Sequence, residues 1–224
     1  MTLLRVWFMV MVALGAAGAT HAAGLPPGFV RLADVAPDIV QDLRYVSANN
    51  FTGRPVPGYE VADCWARRET AEALARVSQD AIRMGLRLVA YDCYRPQRAT
   101  DAFVRWAADD ADQIAKAAYY PSIDKRTLFA KGYIGRRSAH SAGIAVDVGL
   151  LDASGAPLDF GSPFDLFDPK SATASPRVSA QARRNRQTLK ALLEPHGFTN
   201  YPREWWHYTL KGVNDPALYD FPIR

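Results

Sequence analysis

Apolar and small side chains recur at helical spacing between Glu69 and Met84, where Ala71, Leu74, Ala75, Ser78, Ala81 and Ile82 share one stripe. That period predicts an amphipathic helix, and Gly85 stands where a C-terminal stop belongs. Leu86-Arg87-Leu88-Val89-Ala90-Tyr91 follows as a strand. Pro96 then opens a second helix over Gln97 to about Ala108, because proline's missing N–H goes unused in a first turn. A third helix is predicted over Ala180 to Glu194, ending at Pro195-His196-Gly197. Further strands are predicted at Ile39–Tyr45, Ile144–Leu151 and Trp205–Leu210. Asn49 to Gly58 reads as loop, and residues 109–137 as a helix with a long loop. Residues 152–176, rich in Asp, Pro, Ser and Phe, have little periodicity, and so long an irregular stretch in a compact domain is often functional. Helices and strands mix without a βαβ rhythm, which predicts an α+β fold with a largely antiparallel central sheet flanked by helices.

The N-terminus has a different pattern. Arg5 precedes the apolar run Val6 to Leu14, and small residues follow to Ala22-Ala23. This is the layout of a secretory signal peptide over residues 1–23, cleaved after Ala22 or Ala23. The run is shorter than the roughly 20 residues of a membrane-spanning helix, so no stable membrane insertion is expected after cleavage. Residues 24–224 contain no repeat and no long linker and read as one domain. The mature chain is expected in the periplasm or outside the cell. There Cys64 and Cys93 are free either to pair or to remain two buried thiols. A net charge of +4 with scattered basic residues and no recognition motif argues against a nucleic-acid partner.

Only four histidines occur, and export removes His21. Two of the remaining three lie in the most informative segments, Ser138-Ala139-His140-Ser141-Ala142-Gly143-Ile144-Ala145-Val146-Asp147 and Glu204-Trp205-Trp206-His207. His140 in a loop, followed past Gly143 by a strand bearing Asp147, supplies two ligands, and His207 supplies a third. Two imidazoles and one carboxylate with a fourth position open describe a catalytic zinc site, where zinc brings water's pKa down to about 7. Glu204 is then the candidate general base. It stands three residues from His207, so on a flat strand the two would point to opposite faces, and a bulge or tight turn is required. Arg95, between a strand end and Pro96, is either an oxyanion-stabilising group or half of an ion pair with Asp92.

Several short motifs occur together in order: Asp42-Leu43-Arg44-Tyr45, Asn49-Asn50-Phe51-Thr52-Gly53, Tyr94-Arg95-Pro96, the His140–Asp147 segment, Phe164-Asp165 and Glu204-Trp205-Trp206-His207. In this set the chain resembles the VanX-type D-alanyl-D-alanine dipeptidases, zinc peptidases that share a fold with D,D-carboxypeptidases and Hedgehog N-terminal domains. The resemblance implies one zinc ion on His140, Asp147 and His207, with Glu204 as proton shuttle and Arg95 stabilising the tetrahedral intermediate. It also implies Ser138 and Asp165 around the ammonium end of a small D-amino-acid dipeptide. Asp159-Phe160-Gly161 and Ala142 depart from the family's usual residues without removing a chemical group. Two other functions share parts of the pattern. One is a D,D-carboxypeptidase or murein peptidase acting on longer stem peptides, and the other a non-catalytic zinc-bearing binding module.

Overall fold

The computed structural model describes residues 25–213 and 216–224; the predicted signal peptide at residues 1–23 lies outside them. The chain opens with β1 (Phe29–Arg31), the single turn α1 (Leu32–Val35) and β2 (Val40–Gln41). β3 (Trp65–Arg67) runs directly into α2 (Arg68–Arg83), which turns at Gly85 into β4 (Arg87–Asp92). After Pro96 come α3 (Gln97–Ala108) and the short α4 (Lys116–Tyr119). β5 (Ala145–Leu151), α5 (Ala180–Leu193), β6 (Phe198–Asn200) and β7 (His207–Leu210) complete the order. No helix among the described residues is long and apolar enough to cross a membrane.

The main sheet has the order β2-β4-β5-β7-β6, and β1 and β3 form a separate antiparallel pair. Every pairing in the main sheet is antiparallel except β2 with β4, so the expected largely antiparallel α+β fold is what forms. The three predicted helices appear within a residue or two of their expected ends. The strand expected over residues 39–45 is laddered only at Val40–Gln41. Beyond it, Asp42 N–H still donates to Ala90 O at 2.9 Å, so the segment stays on the sheet edge. Trp205 and Trp206 are not in the last strand, which begins at His207; both sit in the turn before it. β5 is buried at all seven positions, because elements cover both faces of the central strand.

The sulfurs of Cys64 and Cys93 are bonded, with Cα atoms 5.4 Å apart, joining the approach to β3 to the end of β4. In the chain-entropy picture, closing a loop of this length stabilises by roughly 3–4 kcal/mol.

The long irregular stretch over residues 152–176 is held by α5 and the tryptophan turn. Arg186 of α5 has no solvent exposure. It donates to Phe160 O at 2.8 Å, Lys170 O at 2.9 Å and Ala172 O at 2.6 Å. Burial brings its pKa down to about 10, which still leaves it charged at neutral pH. Neighbouring Asn185 donates to Asp159 O, and Trp205 stacks on Phe160 with ring centroids 4.0 Å apart. One buried cation thus supplies, through three carbonyls, hydrogen bonds that a loop whose only helical turn is Pro169–Ser171 otherwise lacks. Arg186→Met should strand those carbonyls and cost about 3 kcal/mol or more, read as a lower urea midpoint. A loss below about 1 kcal/mol would mean that the loop is held by its aromatic packing instead.

Candidate active site

Three strands place three acidic or imidazole side chains in one row. Asp92 at the end of β4 is opposite Asp147 on β5, and Asp147 is opposite His207 at the start of β7. A register shift between Ala90 and Asp92 brings Asp92 to that position, the kind of irregularity that re-aims a side chain beside a site. His140 reaches the row from a short 3₁₀ turn, Ala139–Ala142. Ser138 caps that turn by accepting from the His140 N–H at 3.2 Å. Gly143 ends it at φ +72°, where a Cβ would lie 2.5 Å from the Phe29 ring, so glycine is required on both counts.

His140 Nδ1 is 2.7 Å from Cys93 O. A carbonyl only accepts, so Nδ1 carries the proton and the Nε2 lone pair faces the row. Nε2 lies 3.1 Å from His207 Nδ1 and 3.3 Å from Asp147 Oδ1, and His207 Nδ1 lies 3.0 Å from Asp147 Oδ1. Donors 2.0–2.1 Å from a tetrahedral zinc ion stand about 3.3–3.4 Å apart. The triangle is therefore close to the edge length zinc needs, and its donor set, two imidazoles and one carboxylate, fits that ion. Burial pushes the Asp147 carboxyl up, but the two adjacent imidazoles outweigh it and hold Asp147 well below the usual carboxylate range. Burial also lowers the His207 pKa, favouring the neutral ring that binds metal.

The tight turn anticipated between Glu204 and His207 is present. His207 N–H donates to Glu204 O at 3.4 Å, and Asn200 on β6 uses its side-chain amide to donate to both Glu204 O and His207 O. Glu204 and His207 consequently line the same cleft. Burial, then the charges of Asp147 and Asp165, raise the Glu204 pKa well above its ordinary value. Arg95 forms the expected ion pair with Asp92 and also lines the cleft. Its Nε and one Nη donate to Asp92 Oδ2 at 2.9 and 2.8 Å, and that same Nη lies 3.6 Å from Asp147 Oδ2. Tyr45 and Phe103 lie under the guanidinium, which still lines the cleft. The ion pair with Asp92 is thus what orients it.

Ser138 is at the cleft wall. Asp165 is not among the cleft-lining residues; it is buried and accepts from Tyr45 Oη at 2.9 Å, and Tyr45 does line the cleft. Asp165 has φ +61°, the one non-glycine residue with positive φ among the described residues, and burial with Asp147's charge raises its pKa well above normal. The cleft encloses about 200 Å³. Sequence reasoning missed much of its wall, namely Tyr133, Arg137, Tyr201 and the aromatic floor of Phe51 and Phe103. The first two lie in the stretch 109–137, where neither helical nor strand periodicity existed to locate them.

Comparison with known proteins agrees with this geometry. Residues 26–222 match the model of peptidase family M15, D-ala-D-ala dipeptidase. A D-alanyl-D-alanine dipeptidase of Enterococcus faecium is 38% identical over 200 residues, covering 88% of this chain and 98% of its own. Those of Streptomyces coelicolor and Escherichia coli are 39% and 34% identical, covering 81% and 85% of this chain and 91% and 89% of theirs. With its His/Asp/His triad, small cleft and buried glutamate in place, the chain belongs to the D-ala-D-ala dipeptidase family of zinc metallopeptidases.

Proposed function

We propose that this protein is an exported zinc dipeptidase that hydrolyses D-alanyl-D-alanine to D-alanine. The observation that carries the reading is the triangle of His140, Asp147 and His207 donor atoms, 3.0–3.3 Å apart, sharing one small cleft with Glu204 and Arg95. The cleft volume of about 200 Å³ is below the 300–1,000 Å³ common for drug-sized ligands, which supports a dipeptide over a longer stem.

When bound at the triad, zinc supplies Lewis-acid polarisation and brings water's pKa toward about 7. Glu204 takes the proton from the attacking water and delivers it to the leaving amine; its raised pKa suits a group that must both accept and return a proton. Arg95, held by Asp92, presents N–H donors to the oxyanion that develops on the scissile carbonyl. Asp92, Asp147, Asp165 and Glu204 place four carboxyls in or behind the cleft, against the guanidiniums of Arg95 and Arg137. With all four carboxyls ionised a dication would balance that set, and a zwitterionic dipeptide would keep it balanced. Asp165, through Tyr45 or directly after a side-chain shift, and Ser138 attract the substrate ammonium, and Arg137 its carboxylate.

Zinc-loaded protein should release D-alanine from D-Ala-D-Ala, lose that activity on chelation, and lose most of its kcat/KM when the substrate amine is acetylated. Preference for a pentapeptide stem over the dipeptide would instead establish a D,D-carboxypeptidase. Zinc binding with no hydrolysis of any D-peptide would leave a binding module. In the same assay Glu204→Gln should lower kcat at least about 10³-fold while zinc stoichiometry stays at one. Turnover near wild type would remove Glu204 from the mechanism.

The signal-peptide pattern of residues 1–23 and the Cys64–Cys93 bond support export to an oxidising compartment. N-terminal sequencing of protein from the periplasmic fraction should begin near Gly24, and full-length protein confined to the cytoplasm would refute export.

A pH dependence follows from the buried carboxyls. The raised pKa values of Asp165 and Glu204 mean that their contribution to stability is present below the ordinary carboxyl range and is lost as pH rises through the raised values. Metal-free protein is therefore penalised toward neutral pH. Zinc offsets the negative charge and needs neutral imidazoles, so its stabilisation grows in the same direction. The Tm gap between zinc-loaded and chelator-stripped protein should be wider at pH 7.5 than at pH 5. A gap that narrows with rising pH would contradict this charge arrangement.

A further inference from the structure

We infer that the Cys64–Cys93 disulfide positions the zinc ligand His140, acting through the Cys93 carbonyl rather than only as a staple of the fold. The inference rests on zinc binding at the triad. Cys93 lies one residue past β4, beyond the last laddered pair, Asp92 with Asp147. Its carbonyl is nevertheless the acceptor that sets the His140 tautomer, at 2.7 Å from Nδ1. A ligand histidine whose outer N–H is held in this way keeps its inner lone pair on the metal.

Something other than the strand ladder must therefore hold Cys93 in place. The tether is the bond to Cys64, and Cys64 is itself fixed on both sides. Its N–H donates to the Gln41 side chain at 2.9 Å, and its carbonyl accepts from Leu32 N–H at 2.8 Å. Next to it, Tyr94 N–H donates to Trp65 O at 2.7 Å, so the covalent bond and one backbone hydrogen bond together dock this segment on β3. Both cysteines are almost wholly buried. The same short segment carries Arg95, whose N–H donates to His140 O at 3.2 Å. A shift of Cys93 thus reaches the zinc ligand by two routes, its ring and its backbone.

The experiment compares oxidised wild-type protein with Cys64→Ala/Cys93→Ala. Zinc affinity is measured by chelator competition, and the His140 tautomer by ¹⁵N chemical shifts of the metal-free protein. Leu189→Ala, a buried α5 position, serves as a destabilised control with the disulfide intact. The disulfide-free variant should bind zinc about 10-fold more weakly, in the range for losing an outer-shell partner, and His140 should show mixed tautomers. The control should lose thermal stability yet keep wild-type zinc affinity and the Nδ1–H tautomer. If the double variant does not fold, wild-type protein reduced and alkylated under native conditions is put through the same measurements. Zinc affinity within twofold of wild type and an unchanged tautomer, with only Tm lowered, would overturn the inference. Oxidised wild-type protein that binds no zinc would overturn the metal reading itself.

Discussion

Two buried carboxyls, Asp92 and Asp147, stand opposite each other on adjacent central strands, and most of the surrounding structure compensates for that juxtaposition. Like charges at such proximity in a poorly solvated interior are strongly unfavourable without partners. Arg95 bridges them, with bonds at 2.9 and 2.8 Å to Asp92 and a longer approach of 3.6 Å to Asp147. Tyr59 donates to Asp92 at 2.7 Å, and the two imidazoles approach Asp147. Burial and Asp147's charge raise the Asp92 pKa, against the opposing pull of Arg95 and His140, whereas the imidazoles hold Asp147 low. The two carboxyls therefore differ in role. Asp147 is kept ionised and ready for a metal, and Asp92 spends its acceptor capacity on orienting the arginine.

Placing such a charged row inside a sheet demands rigid support on both sides, and the chain supplies it with unrelated devices. On one side, the disulfide and the β1–β3 ribbon fix the end of β4. On the other, Asn200 gathers the carbonyls of Glu204 and His207 and forces both side chains into one cleft. Behind the sheet, Arg186 and the Trp205–Phe160 stack order residues 160–172, including the positive-φ residue Asp165. A left-handed aspartate costs of order 1 kcal/mol and persists where its surroundings over-determine it, as at a binding site.

The site was more legible in the sequence than its walls. His140, Asp147, His207 and Glu204 stand out because few histidines exist; the Glu204–His207 spacing calls for a bulge or a tight turn, and the structure contains the turn. Helices α2, α3 and α5 followed from periodicity and from their proline and glycine boundaries. The Cys64–Cys93 bond was undecided, since pairing depends on a 5.4 Å approach of two backbones that no local pattern encodes. Residues 109–137 gave no period because most of them form turns and single helical turns, held by specific contacts such as Lys125 Nζ to Asp112 O. In the sequence Arg186 is one polar residue among several on α5; its burial becomes visible only when the carbonyls it serves, 14 to 26 residues earlier in the chain, are in place.

The same arrangement explains why the site should be selective for a small, doubly charged substrate without a large recognition surface. The cleft walls are aromatic at Phe51, Phe103 and Tyr133, and such walls discriminate poorly among side chains that differ by a methylene. Charge placement discriminates far better, because a buried carboxyl left without its cation incurs a desolvation penalty that no neutral analogue relieves. Asp165, with its pKa raised by burial and by Asp147, is such a group, and on the proposed function a substrate ammonium reaching its cleft-lining partner Tyr45 would lessen the penalty. A peptide whose N-terminus is extended brings an amide instead and leaves the carboxyl uncompensated. On the proposed function, substrate length would then be read through the charge at the substrate's end, leaving the metal triad and Arg95 to the scissile bond.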